Sequence, residues 1–537
     1  MVRLMLISCM CVLFTTHLPA QPQVKTADGI VEGIDESGIH TFKGIPFAAP
    51  PVGELRWREP QPVHPWAGMR QATKFGPKAM QRPLFGDMKF RSDGMSEDCL
   101  YLNVWTPAKT ANDKLPVLVY FYGGGLMAGD GSELRYDGES MARKGIIVVT
   151  VNYRLNIFGF FNHPELTKES PYHASGNYGL LDQVAALKWV QKNIVAFGGD
   201  PAKVTIAGES AGSFSVSAQM VSPLARGTFA GAIGESGAIT GKNGTAPLAA
   251  AEQKGIAFAD SIGVSSLAAL RAIPAEQLLE ATAKDWYSRF PITIDGYFLT
   301  EEPEKIYTEG RQAHVPLLAG WNSAEMDYHS LMGQDSLTTN NYTKAVQKLY
   351  ADADKTADIL RLYPAPTDAA VAQAATDLAS DRFIAFGTWK WIDLHAHTGG
   401  KPVYRYLYCR PRPDMRPEMG TNAAPGLAGG VIKTETPVKK AIPMGASHSS
   451  EIEYVLGNLP TNRVYDWQPE DYKVSEIMQA MFANFIKTGN PNGLASPQWP
   501  AVKSGAPNPV MNIDVHSKAE IEEHRERYLF ISKWGLM

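Results

Sequence analysis

Lys203–Met220 reads KVTIAGESAGSFSVSAQM. Val204–Ala207 has the pattern of a short strand, Gly208-Glu209-Ser210-Ala211-Gly212 interrupts it, and the residues beyond suit a helix. The G-x-S-x-G pattern alone is weak. In a chain of 537 residues with 48 glycines it arises by chance on the order of 0.3 times. It gains meaning on a sharp strand-to-helix turn, with partner residues further along the chain.

The flanking sequence supplies that setting. Leu115–Gly125 (LPVLVYFYGGG) and Gly145–Arg154 (GIIVVTVNYR) are nearly continuous runs of Val, Ile, Leu and Tyr. Strands covered on both faces look like this. Leu180, Leu181, Val184, Leu187, Val190 and Ile194 then recur at helical spacing, stopped by Gly198-Gly199 and Pro201. Further strand candidates lie before these runs at Cys99–Pro107 and after them in FAGAIGESG, at Val315–Gly320 and at Val403–Tyr408. Such alternation predicts an α/β fold with a doubly wound, mostly parallel sheet flanked by helices. Ligands in these sheets bind beyond the carboxyl ends of the strands, where Ser210 is placed.

Composition narrows the function classes. A hydrophobic fraction of 44% is ample for a large core, and a net charge of −4 gives no basic footprint, so nucleic acid is not an expected partner. Met1-Val2-Arg3, the apolar run Leu4–Phe14 and Ala20 before Gln21 read as a secretory signal peptide over residues 1–20. A secreted or periplasmic protein with one catalytic domain over 24–537 is therefore expected. No later segment is long and apolar enough to span a membrane. Loss of the leader removes Cys9 and Cys11, leaving Cys99 and Cys409, too few for a disulfide scaffold. No metal-ligand spacing is present, and no cofactor is expected. Asn243 (NGT) and Asn341 (NYT) match the glycosylation pattern.

A serine hydroxyl attacks at neutral pH only with a base in reach, a third group to orient that base, and donors for the developing oxyanion. Gly208 and Gly212 leave room for the turn, and the N–H of Ala211 is the expected first oxyanion donor. Gly123-Gly124-Gly125, ending a strong strand, is the expected second source. The acid should follow at the end of a later strand, where Glu325 stands just past an apolar run, with Asp327 as the alternative. Of the 12 histidines, His329, His395, His397, His448, His516 and His524 come later. His395 and His397 fall at a helix end, and His516 and His524 in a charged C-terminal stretch. His448 lies between a glycine-containing loop and a helix start, the place for a loop-borne base.

Together SEDCLYLNV, YGGG, GNYGLLDQVAALKWVQKNIVAFGGDP, VTIAGESAGS and GASHSSEIEYVLG make the chain resemble the type-B carboxylesterase and cholinesterase family of α/β-hydrolases. The resemblance runs from about Val24 to the C-terminus. It implies Ser210 as nucleophile, Glu325 as acid and His448 as base, with the N–H groups of Gly124, Gly125 and Ala211 as oxyanion hole. It also implies that Glu209 and Ser236 lie close to this triad. Family members commonly pair the cysteine of EDCLYLNV with one upstream, where this chain has Met80, so Cys99 lacks that partner. The tryptophan that binds choline in cholinesterases is absent before MSEDC, which argues against choline esters. Tyr122 replaces the histidine that often precedes the glycines. Pro411–Gly445, rich in Pro, Gly and charge, reads as a long surface excursion positioned as a lid. The expected function is hydrolysis of a small-molecule or lipophilic ester through an acyl-enzyme. Amide hydrolysis or acyl transfer with the same triad, or a non-catalytic binding or adhesion role, are the alternatives.

Overall fold

The computed structural model describes residues 21–241, 244–283, 290–350, 352–423, 430–434, 443–494, 496–505 and 507–535. The expected leader and Asn243 lie outside these residues, as does much of Pro411–Gly445.

An eleven-stranded sheet organises the chain. Its strands are β1 (Ile34–Glu36), β2 (Ile39–Pro46), β3 (Tyr101–Thr106), β4 (Leu115–Phe121), β5 (Ile147–Val151), β6 (Gly199–Glu209), β7 (Gly231–Glu235), β8 (Leu317–Asn322), β9 (Val403–Tyr408), β10 (Pro509–Ile513) and β11 (Lys518–Ile521). Across the sheet they run β11-β10-β9-β8-β7-β6-β4-β5-β3-β2-β1. The strands from β5 through β4 and β6 to β10 pair in parallel, while β1, β2, β3 and β11 add antiparallel edges. The apolar runs are the buried centre: every residue of β5 and Val117–Phe121 of β4 are buried. The N-terminal strands β1 and β2 extend this same sheet.

Helices flank it, among them α1 (Tyr178–Asn193), α2 (Ala211–Val221), α3 (Thr339–Leu349), α4 (Val371–Ser380), α5 (Phe386–Thr398), α6 (Ile452–Leu456) and α7 (Pro469–Thr488). In α1 the residues Leu180, Leu181, Val184, Leu187 and Val190 are all buried, as their spacing predicts. One turn of α1 also carries Asp182, fully buried, which takes Arg154 in a two-pronged bond at 2.7 and 2.8 Å and so fixes the loop after β5. A smaller hydrophobic cluster, including Tyr342, Val346, Ile359 and Leu378, sits beneath α3 and α4. Between α4 and α5 the chain makes one π-helical turn, Asp381–Ala385.

The strand order reverses at β4: β5 follows on one side and β6 lies on the other. Such a switch point opens a crevice at the carboxyl ends of the strands. Register makes the crevice specific. Phe121 pairs with Gly208 across β4 and β6, so the glycine triplet and the serine turn leave the sheet side by side. Glu235 pairs with Gly320 across β7 and β8, which brings Ser236 beside the loop carrying Glu325.

Candidate active site

The turn between β6 and α2 is held in a strained conformation. Ser210 has φ 55° and ψ −120°, a region that costs a residue with a Cβ about 1–3 kcal/mol. Its N–H donates to the Glu235 carbonyl at 2.8 Å, tying the turn to β7. The glycines on either side are required by contact. A Cβ on Gly212 would lie 2.0 Å from the Phe121 carbonyl oxygen, and one on Gly208 2.6 Å from the same atom. The glycine triplet abuts this turn: a Cβ on Gly123 would come within 2.7 Å of the Glu209 carboxylate and 3.2 Å of Ser210 Cβ. Among the described residues the N–H groups of Gly124, Gly125 and Ala211 donate no hydrogen bond.

Glu325 and His448 meet beside this turn. Nδ1 of His448 lies 2.6 Å from Oε2 of Glu325, both side chains being buried. Oε1 of Glu325 accepts from the hydroxyl of Ser236 and the N–H of Asn322, each at 2.6 Å. The two loops are joined by backbone as well, the N–H of Ala324 donating to the Ala446 carbonyl at 2.9 Å. Asp327, the alternative acid, is exposed and pairs with His329 at 3.3 Å. Nε2 of His448 lies 3.2 Å from Oε1 of Glu209. Among the described residues no hydrogen bond joins His448 to Ser210.

The remaining histidines are elsewhere. His395 is buried in α5 with Nε2 at 2.9 Å from the Val315 carbonyl, and burial lowers its pKa to about 4. His397 meets Ser504 at the surface. His516 and His524 sit in the C-terminal segment. Tyr122 is buried and stacks on Tyr153 at 4.4 Å. Cys99 is a free thiol, and Met80 lines the same cavity of about 10 Å³. Cys409 is free as well.

Several buried carboxylates surround one imidazole here, and burial, with their mutual repulsion second to it, sets the local electrostatics. Glu209 is pushed up to about 7 by burial, against the pull of His448 and Arg135. Glu451 is pushed up to about 8 by burial and by the charges of Glu209 and Glu325. Glu235, fully buried beside Tyr120, is held well above the usual carboxylate range by burial and by Glu451. Burial works against an imidazolium at His448, but Glu209, Glu325 and the hydrogen bond to Glu325 outweigh it and raise His448 to about 9. Two arginines with covered side chains brace the loop from outside. Arg412 donates to the Ser449 carbonyl at 3.1 Å and pairs with Glu453 at 2.9 Å, while Arg135 pairs with Glu133 at 3.2 Å.

Glu451, Glu235, Asn322 and these arginines were not found from the sequence. Glu451 carried a signal, standing three residues after His448. Arg135 and Arg412 carried none, because only the fold brings them together.

Similarity to known proteins agrees with this geometry. The sequence model of the carboxylesterase family matches residues 20–531. Fumonisin B1 esterase of Sphingopyxis macrogoltabida is 34% identical over 500 residues, covering 88% of this chain and 83% of that protein. Para-nitrobenzyl esterase of Bacillus subtilis (strain 168) is 34% identical over 529 residues, covering 95% and 99%. A solved PNB esterase superposes with a TM-score of 0.77 at 31% identity, over 95% of this chain and 99% of that one.

Proposed function

The chain belongs to the carboxylesterase family and is a carboxylic ester hydrolase; from that premise we propose that it works through a Ser210–His448–Glu325 triad and an acyl-enzyme. The observation that carries this reading is the 2.6 Å contact of Glu325 with Nδ1 of His448, next to the strained turn that bears Ser210.

In the proposed sequence Glu325 holds the proton on Nδ1, leaving the Nε2 lone pair to accept the Ser210 proton. The Ser210–His448 hydrogen bond closes as the ester enters, since catalytic hydrogen bonds often tighten only in the Michaelis complex. The Ser210 oxygen attacks the carbonyl, and the N–H groups of Gly124, Gly125 and Ala211 receive the oxyanion. His448 passes its proton to the departing alkoxide. Water, deprotonated by His448, then releases the acid from Ser210. Glu209 and Ser236 support the triad, the first by its charge beside Nε2 and the second by its bond to Glu325. We also read residues 24–537 as one catalytic domain exported behind a leader of residues 1–20. The large sheet, which takes strands from Ile34 through Ile521, supports the single domain. No helix among the described residues is long and apolar enough to cross a membrane.

The direct test is a fluorophosphonate that traps serine esterases, mapped by mass spectrometry. Label on Ser210 with loss of turnover is the expected result; turnover surviving with Ser210 unlabelled would sink the assignment.

The pH profile follows from the charges. A base works only when neutral, so the raised pKa of His448 places the acid limb of kcat/KM above the ordinary imidazole range, towards about 9. Glu209→Gln removes an anion 3.2 Å from Nε2, so the limb should move down by about 1 pH unit or more. Profiles of the two proteins on a neutral ester check this. An unmoved limb, or one moved upward, would contradict it.

A further inference from the structure

Beside the site lies a groove of about 650 Å³ whose walls come from the loop after β8, α3, α4 and the π-helical turn. A groove of this size accommodates a ligand of several hundred daltons. Two of its lining residues, Met326 and Phe383, adjoin Glu325 and His448. Met326 follows Glu325 directly and is held to Ser380 by hydrogen bonds of 3.1 and 3.2 Å. Phe383 packs edge-on against the His448 ring at 5.1 Å and remains 43% exposed, an aromatic offered to the groove. Both Arg382 and Phe383 are presented by the π-helical turn, a distortion that proteins place mostly at functional sites.

The lining is divided by polarity. Met326, Leu331, Leu349 and Leu378 give it apolar wall, while Lys344, Lys348 and Arg382 bring three cations against one carboxylate, Asp335. None of the three cations makes an ion pair among the described residues. Arg382 stands over the Tyr350 ring at 5.5 Å, and its Nε is buried with no hydrogen-bond partner. Arg382 is only partly buried and lines the groove, so an anion there can reach its guanidinium from the open side. Carboxylate is the acceptor whose geometry suits guanidinium, and neighbouring ammonium groups add to its attraction.

We propose that this groove receives the alcohol half of an ester that carries a second, ionised acid group, with Arg382, Lys344 and Lys348 taking that anion. The assignment to the alcohol half follows from the chemistry and rests on the triad proposed above. His448 gives its proton to the departing alkoxide, so the leaving group lies against His448, where Phe383 opens the groove. The acyl–oxygen bond breaks when the tetrahedral adduct on Ser210 collapses and His448 protonates the departing oxygen, and an anionic hydroxy acid leaves along the apolar wall.

The test compares two acetate esters, that of ω-hydroxyhexanoate and that of hexanol. Both form the same acetyl-enzyme, so deacylation is common and any difference in kcat/KM belongs to the groove. The wild-type enzyme should favour the acidic ester by about tenfold at low salt. That ratio should fall as added salt screens the cations, and fall again in Arg382→Gln and in Lys344→Gln/Lys348→Gln. The lysine pair is exposed on α3, so this second variant tests the groove even if the arginine variant folds poorly. An acidic-to-neutral ratio near one in the wild type, or one unchanged by salt and by both variants, overturns the groove assignment while turnover of the neutral ester leaves the triad standing. Failure to turn over either ester, with Ser210 unlabelled by the phosphonate, overturns the triad and the groove with it.

Discussion

Ser210→Ala should lower kcat on a p-nitrophenyl ester by about 10⁶-fold, leaving about 10³–10⁴-fold over water from the oxyanion donors and binding. The variant removes one oxygen and nothing that shapes the turn. Alanine keeps the Cβ, so the strain at φ 55° is unchanged. The N–H that donates to the Glu235 carbonyl is kept as well. The thermal midpoint should therefore match that of the wild type, and the lost rate is chemical. Measuring kcat and the thermal midpoint on one preparation separates a lost nucleophile from a lost fold. A variant that is fully folded and only a few-fold slower would mean that another group attacks the ester.

Backbone strain accompanies the motif: four of the ten non-glycine residues at positive φ among the described residues border this site. Leu126, Ser210, Ser236 and Ser449 are non-glycine residues at positive φ, after the glycine triplet, at the turn, after β7 and after His448 respectively. Backbone held in such conformations persists only where its surroundings over-determine it, and it gathers at functional sites. Here the surroundings are the parallel strands: neighbouring carboxyl ends impose the turns, and the contacts at Gly208, Gly212 and Gly123 leave each turn one course.

What the sequence disclosed divides along the same line. The parallel core was legible because strands buried on both faces must be apolar throughout, and β4 and β5 are. As candidates, Ser210, Glu325 and His448 were legible because each sits on a loop just beyond a regular element and in a fixed chain order. Choosing Glu325 over Asp327 was not settled by pattern, since both follow the same apolar run. The backbone link between Ala324 and Ala446 favours Glu325, by drawing its loop against that of His448. The groove was hidden for another reason. Its cations come from α3 and from a π-helical turn, and an extra residue in a helical turn has no periodic signature in the chain.

Glu325→Gln should lower kcat by about 10⁴-fold at neutral pH with little change in KM. The carboxylate accepts on both oxygens: Oε2 faces Nδ1 of His448, and Oε1 takes the hydroxyl of Ser236 and the N–H of Asn322. An amide cannot accept on both sides. With its oxygen toward Asn322, its NH₂ meets Nδ1 and forces the proton onto Nε2, the nitrogen that must accept from Ser210. Turned the other way, its NH₂ meets the N–H of Asn322, which cannot accept, and a buried donor is left unpaired. Neither orientation restores the charge that stabilises the imidazolium, and Glu451, raised to about 8 by burial and by its acidic neighbours, is poorly placed to replace it at neutral pH. Aspartate at the same position keeps the charge but shortens the arm, so it should recover part of the rate where glutamine does not. Comparing kcat for the two variants against pH distinguishes these effects. If glutamine retains more activity than aspartate, the negative charge at 325 is not what orients and stabilises His448.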